Sequence, residues 1–378
     1  MKRVRVVGGG PSSVLFALTY KKYHPADFVS LYEKDSAVLK RVLVSGNGRA
    51  NFFNEKYLSG TALSAFYDGK EENIGFTKEE AEEFLNFLKE DLNFSYYSDP
   101  EGRFYPFSNL SSSLKDALVR GLKKEGIEVF TDSEVKKVNP ERKTILVNGK
   151  ELPYDVLFCG IGNEAFDRKE GSVSNFFQNL GLKITPSSPA LCPLATVERI
   201  PPVLVGTRLK GKLNLYKKER EIYEENGELL FKKDGISGIC VFDASLFIDR
   251  PEDYTVRFDP FEHDGVKVSI RKGESMDGLS GIFPYPFVEA LKKSGYKNID
   301  EESVRKFLTF KIRCKYPLKF SQIAKGGVSL SEVTPNFALK QYPGILIGGE
   351  SVDQHAICGG FNMGFAFLSG FRAAKPLP

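Results

Sequence analysis

The sequence predicts an α/β protein whose two chain ends build one strand–turn–helix unit, interrupted by a β-rich domain with a small helical piece. Three observations carry this. An apolar run, Val4 to Val7, opens onto the turn Gly8-Gly9-Gly10 and then onto a helix-forming segment. From about Thr185 the character changes: prolines cluster at Pro186, Pro189, Pro193, Pro201 and Pro202, and short strand-like runs follow. The ending, "GGVSLSEVTPN" through "GFAFLSGFRAA", returns to glycine-rich turns and a terminal helix. The expected division is 1–186 with 327–378 as one domain and 187–326 as the insert, its helical piece at about 284–310.

Val4 to Val7 reads as a buried parallel strand, with polar residues only at its start. Pro11 sits where a helix's first turn tolerates it. Val14, Leu15 and Leu18 give that helix an inner face at helical spacing. "FVSLYEK" is the next strand. "TKEEAEEFLNFLKEDL" opens with a capping box, Thr77 and Glu80, and carries Phe84, Leu85, Leu88 and Leu92 on one face. "SSSLKDALVRGLKKEG" is a second amphipathic helix, with Leu114, Ala117, Leu118 and Leu122 inward and Gly126 as its stop. "IEVF", "EVKKV" and "KTILVNGKEL" read as strands, the last folded at the hairpin turn Asn148-Gly149. "YDVLFCG" is a further buried strand. In the insert, "FVEALKKSG" and "EESVRKFLTF" are the helical pieces.

Composition bounds the partners. With 41% hydrophobic and 27% charged residues the chain is an ordinary folded protein. A net charge of +4 is too small to argue for nucleic acid. No apolar run approaches the roughly 20 residues that cross a bilayer. The run after Lys2, Arg3 and Arg5 is too short for a signal peptide, so a cytoplasmic location and no membrane partner are expected. The five cysteines, Cys159, Cys192, Cys240, Cys314 and Cys358, form no CxxC pair, and there are only three histidines, so no metal site is expected.

The glycine turn asks for a phosphate. Gly8, Gly10, Pro11, Ser12 and Ser13 lie in a G-x-G-x-x-G pattern broken only at its last position. The first glycine permits the tight turn, the second lets the backbone approach a pyrophosphate, and the third allows close helix–strand contact. Ser13 at the third position predicts slightly wider packing. The phosphate would rest on the helix's leading amides. Glu33, with Lys34 beside it, ends the second strand where an acid accepts hydrogen bonds from a ribose, and an acid disfavours a 2′-phosphate. A second match, Gly160, Gly162 and Ala165, follows the "VLFC" strand. No acid ends a further strand about 20 residues on, and proline-rich sequence breaks the pattern. One resident dinucleotide is therefore expected.

"LKRVLVSGNGRANFFN", from Leu39 to Asn54, makes the comparison specific. It resembles the bacterial BaiN and aminoacetone-oxidase-type flavoproteins, the YhiN-like group, whose pattern reads roughly GRKLLxSGGGRCNxTN. Ser45, Gly46, Gly48, Arg49 and Asn51 match, while Ala50 replaces the usual Cys. "GRFYPFSNLSSSLKDAL", "GLKITPSSPALCPLATV", "LLFKKDGISGICVFDAS" and "GILIGGESVDQHAICGGFNMGFAFLSGFRAA" resemble further blocks in order. The resemblance runs nearly end to end. It implies a Rossmann-like FAD-binding domain built from both chain ends with an inserted β-rich domain, and FAD bound non-covalently. It places Arg41, Ser45, Gly46, Asn47, Gly48, Arg49 and Asn51 along the pyrophosphate and flavin, and Val135 beside the adenine. Gly160 passes close to the cofactor. Gly349 and Glu350 lie at the pyrophosphate and ribityl chain. Gly360, Phe361, Asn362 and Met363 bring helix amides to the flavin's pyrimidine edge.

The chain departs from the pattern in places. "HAICGG" stands where the family often has DGDxGG, so two acids are absent there. Lys233 stands at the family's FTH histidine. His355 and Cys358 are the titratable groups nearest the expected flavin edge, and no residue is assigned a catalytic role. The resemblance implies hydride transfer between FAD and a small organic substrate. Two enzymes fit: an oxidase of small amines that passes electrons to oxygen, or an NAD(P)H-dependent reductase of an activated double bond. A non-enzymatic flavin-containing redox-sensing or binding protein is the alternative.

Overall fold

The computed structural model describes residues 1–67, 72–165, 172–271, 273–296 and 299–376. Residues 297–298 of the expected helical piece, Phe166 beyond the second glycine match, and residues 377–378 lie outside these. Two compact units divide the chain. One holds Met1–Glu164, Lys169–Ser187 and Lys325–Pro378; the other holds Ala165–Arg168 and Ser188–Ala324.

The first unit is built on a parallel sheet. Its strands run in the order Ile345–Ile347, Val156–Cys159, Arg3–Val7, Phe28–Tyr32, Glu128–Phe130. The opening strand is central. Val4 to Val7 pair with Val156 to Cys159 on one side, and Arg3 to Val7 pair with Phe28 to Tyr32 on the other. The chain therefore reverses direction across the sheet at the carboxyl end of Val7, where open α/β sheets bind ligands. The final strand comes from the chain's other end, so the sheet closes only when both ends are present.

The first helix, Pro11–Tyr23, is buried on every side from Ser12 to Tyr20 and not only along Val14, Leu15 and Leu18. The C-terminal helix, Phe361–Ala373, crosses it so closely that a Cβ on Gly370 would lie 2.0 Å from the Ser12 carbonyl oxygen. Gly121 of the helix Ser111–Lys124 meets Leu18 on another side.

The helix Lys78–Asn86 has the expected capping box: Thr77 Oγ1 accepts from Glu80 N, and the Glu80 carboxylate accepts from Thr77 N. It then widens into a π-helical turn, Phe87–Asp91. The Asn148-Gly149 turn has both residues left-handed, φ 49° and 77°, and joins the antiparallel strands Thr144–Val147 and Lys150–Pro153.

The second unit is a closed barrel of six strands. Its order is Leu194–Thr196, Gly235–Ser237, Arg220–Lys232, Arg208–Lys217, Tyr254–Asp259, Thr309–Lys315. Leu213, Leu215, Leu229, Phe231, Val256 and Phe258 fill it. Closure leaves none of these six strands with an open edge. Two helices, Tyr285–Lys293 and Glu301–Phe307, add Phe287, Leu291 and Val304 to the same core. The second helix is shorter than its sequence predicts. Thr309 and Phe310 leave it because they pair as a barrel strand with Arg257 and Val256.

Candidate active site

The site forms at the switch point of the parallel sheet. Gly8 adopts φ 91°, a left-handed conformation that favours glycine, and donates to Tyr32 O at 2.8 Å. A Cβ there would lie 2.4 Å from Gly160 O. Gly160 in turn donates to Val7 O at 2.9 Å. The two glycine turns read from the sequence are thus neighbours in one crevice, and the second belongs to the first unit's sheet.

Ser13 has a fully buried side chain, and its hydroxyl lies 3.2 Å from both Val7 O and Gly160 O. The hydroxyl ties the helix to two strand ends, which gives a serine partners where Gly or Ala is usual.

Glu33 lies beside the turn. One carboxylate oxygen accepts from Gly9 N, and the other from Asp35 N at 2.8 Å. Burial pushes its pKa up, against the pull of those two amides. Its backbone receives Ser133 N at 2.8 Å, which brings the strand Val135–Asn139, with buried Val135, to the same edge. Lys34 is exposed.

The segment after Leu39 makes the second wall. Arg41 of the helix Lys40–Val44 donates to Asn163 Oδ1 at 3.2 Å and Asn163 O at 2.9 Å, and stands 3.9 Å from Glu350. It links this wall to the Gly160 turn and to the end of the last strand. Burial raises the Glu350 pKa, with Arg41 and His355 opposing. Ser45 turns its hydroxyl back onto Val42 O at 2.7 Å. Gly46, Asn47 and Gly48 are left-handed, with φ 54°, 54° and 82°. A Cβ on Gly48 would meet nothing within 4 Å, so the loop's tip faces open space. The Arg49 guanidinium stacks over Tyr105 at 4.8 Å.

The same segment then grips the C-terminal helix. With its side-chain amide turned to satisfy both neighbours, Asn51 accepts from Gly360 N at 3.1 Å and donates to Phe53 O at 3.2 Å. Asn54 donates to Gly359 O at 2.9 Å, and the Tyr57 hydroxyl to Phe361 O at 2.8 Å. Asn362 spends its side chain on Ala356, accepting from its N–H and donating to its carbonyl. Met363 is half-buried. Gly349 donates to Ser369 Oγ at 2.8 Å and passes against Ser12.

Sequence reasoning missed several of these. Tyr57 carries a contact of the site from outside every motif read above, and Asn163 and Ser369 do so from inside matched stretches in which they were not singled out. Asn54 closes the quoted "SGNGRANFFN" run, and its asparagine was the signal available. Asp353, just before "HAICGG", places its Oδ1 3.2 Å from His355 Nε2. His355 is buried, and Cys358 is partly exposed.

The residues fit a bound dinucleotide. Both long helices that end here begin on a glycine, Gly10 or Gly360, with no side chain capping the leading amides. Such amides need an acceptor and favour an anion. A Cβ on Gly10 would have its nearest neighbour at 3.9 Å, so the mouth of the turn is open. Among the described residues no group of three or more His, Cys, Asp or Glu side chains could hold a metal, and no helix is long and apolar enough to cross a membrane.

A parallel sheet with a glycine turn at its switch point, a largely buried acid beside that turn and a second uncapped helix from the far end of the sequence define a flavoprotein of the dinucleotide-binding class. The chain belongs to the HI0933-like family, whose Rossmann domain matches residues 2–376. It is 24% identical to a 3-dehydro-bile acid delta(4,6)-reductase of Clostridium scindens, over 99% of this chain and 98% of that protein. Its fold is similar to that of 3-ketosteroid delta1-dehydrogenase from Sterolibacterium denitrificans, with a TM-score of 0.54, 11% identity and 99% of each chain covered. A flavocytochrome c3 fumarate reductase in its open conformation matches with a TM-score of 0.49 and 14% identity, over 99% of this chain and 78% of that one. The cofactor is FAD, and the protein is an FAD-dependent oxidoreductase.

Proposed function

We propose that this protein is a reductase that uses NAD(P)H to saturate an activated carbon–carbon double bond of an apolar ketone. The observation that carries the reading is the end-to-end relationship to a chain named a 3-dehydro-bile acid delta(4,6)-reductase. Surface chemistry beside the cradle supports an apolar substrate. Val44, Phe107 and Leu110 are 66%, 74% and 57% exposed. Ser111 Oγ donates to Leu43 O at 2.9 Å, which ties the start of the helix Ser111–Lys124 to the segment that leads into the Gly46–Gly48 loop.

FAD supplies two-electron hydride chemistry when bound. The chain's residues bind and orient it. We assign the pyrophosphate to the turn Gly10–Ser13, where Gly10, Ser12 and Ser13 carry the backbone N–H groups and Pro11 only shapes the helix start, the adenosine ribose to Glu33, and the adenine to Val135. Arg41, Glu350 and the Ser45–Asn51 loop line the middle of the cofactor. The amides of Phe361, Asn362 and Met363, which follow Gly360, favour negative charge at the pyrimidine edge together with their helix dipole. NAD(P)H binds transiently, because the Gly160 turn is occupied in supporting the first helix and offers no second dinucleotide fold.

Anaerobic reduction of the purified holoprotein tests the reading. NADH or NADPH should bleach the flavin, and an α,β-unsaturated steroid ketone should restore its colour faster than air does. Bleaching by a small amine, followed by fast recovery in air, would make the protein an oxidase. Bleaching by none of these donors would favour a non-enzymatic flavoprotein.

A further inference from the structure

We propose that Glu225 and Asp243 share one proton across the contact between the barrel strand Arg220–Lys232 and the helix Ile239–Leu246, and that losing this proton loosens the helix from the strand. The inference concerns the barrel alone and stands apart from the reading of cofactor and substrate.

The contact is a ladder of three rungs. Tyr223, Glu225 and Gly227 alternate onto one face of the strand, the face that carries Leu229 and Phe231 into the barrel. Cys240 and Asp243 lie one turn apart on the helix, and Phe247 follows at its C-cap. At one end, a Cβ on Gly227 would lie 2.8 Å from Cys240 Cβ. At the other, the rings of Tyr223 and Phe247 stack at 4.6 Å. Glu225 and Asp243 form the rung between, and their carboxyl groups are hydrogen-bonded to each other. The helix sits hard against the strand here. A Cβ on Gly238, just before its first residue, would lie 2.0 Å from Glu228 O, and Cys240 Sγ donates to that oxygen at 3.5 Å.

Asp243 is 1% exposed. Ionised carboxylates only accept, so a hydrogen bond between two carboxyl groups needs a proton on one of them. The Tyr223 hydroxyl donates to Glu225 Oε2 at 2.8 Å and meets a further lone pair. On the next strand the residues opposite Glu225 and Tyr223 are Leu213 and Leu215, both buried. Lys212 of that strand turns to the other face, where it pairs with Glu224. The groups around the pair are therefore Tyr223 and Cys240, and burial beside the two acids keeps both protonated. Burial and Asp243 raise the Glu225 pKa to about 7. Carboxyls this close titrate as one unit. Proton loss puts two like charges in contact away from water, and moving the helix off the strand separates them.

Cys240 reports on the contact because it is buried beside the pair; Cys159, buried in the other unit, is the reference. The FAD-loaded protein is treated from pH 5 to 8 with a dithiodipyridine, which attacks thiols in acid as well as base. Mass spectrometry reads the labelling of each cysteine. The ratio of Cys240 to Cys159 labelling should rise at least about tenfold between pH 5 and 7 and level off above, because the seated pair keeps a proton that the opened pair, with ordinary carboxyl pKa values, gives up. In Glu225→Gln an amide hydrogen replaces the shared proton, and the ratio should stay flat. In Asp243→Asn the rise should end at least about one pH unit lower, since the like charge is gone. A wild-type ratio that does not move with pH would overturn the proposal. So would a rise in either variant that matches wild type; an unchanged rise in Asp243→Asn would leave burial of Glu225 alone as its cause. If neither variant folds, Tyr223→Phe decides. It removes a donor to the Glu225 carboxylate, so the rise should end at higher pH, and an unchanged end would overturn the assignment.

Discussion

Gly370→Ala adds one methyl group where the C-terminal helix crosses the first. The new Cβ would lie 2.0 Å from Ser12 O and 2.8 Å from Ser12 C. A relaxed carbon–oxygen contact is about 3.3 Å, so the helices must separate by roughly 1 Å. Both atoms are backbone, and no rotamer change relieves the clash. Overpacking of this kind costs about 3 kcal/mol, the upper part of its usual range. Alanine's better helix propensity returns about 1 kcal/mol. The net loss is about 2 kcal/mol, a fall of roughly 4–8 °C in Tm for a unit of this size. Ser12 is also the first residue after Pro11 to bear an N–H at the helix start assigned to the phosphate, so FAD affinity should fall with stability. Thermal unfolding with and without added FAD measures both. Gly281→Ala is the control, since its Cβ would meet nothing within 4 Å. A Gly370→Ala protein as stable as wild type would refute the close crossing of the two helices.

Glu33→Ala should leave the fold in place and weaken FAD binding by about 1.5–3 kcal/mol, the loss of a charge-assisted hydrogen bond; equilibrium titration showing unchanged affinity would remove the ribose assignment. Acid precipitation should release the flavin into the supernatant, and colour retained in the pellet would point to a covalent link. In the barrel, burial and the neighbouring Asp243 push the Glu225 pKa up to about 7, although Tyr223 donates to its carboxylate at 2.8 Å. Its folded pKa lies above its unfolded one, so the folded state binds the extra proton. Stability is then full at low pH, falls as pH rises from the ordinary carboxylate range to about 7, and levels off above it. Glu225→Gln should flatten that fall in denaturant unfolding measured from pH 5 to 8, and an unchanged slope would show that other groups cause it.

Local chemistry made much of this protein legible in its sequence. Glycines at 8 to 10 between an apolar strand and a proline-started helix specify a phosphate turn because only small residues allow the approach. Thr77 and Glu80 specify a helix start, and Asn148-Gly149 a hairpin, because each satisfies its backbone within a few residues. The full-length resemblance supplied FAD and the oxidoreductase class. Interactions between distant segments were not legible. The parallel sheet needs Ile345–Ile347 beside Val156–Cys159, and no local pattern encodes that pairing. Ser13 looked like a defect in its motif until the carbonyls of Val7 and Gly160 came within reach of its hydroxyl. Thr309 and Phe310 follow a helical pattern, yet barrel closure takes them as strand, since pairing with Arg257 and Val256 outweighs local propensity. His355 could be read only as a histidine near a glycine pair. Its burial and its bond from Gly326 arise from residues 29 positions apart brought together. Side-chain pairing of that kind is set by packing, and packing belongs to the folded chain alone.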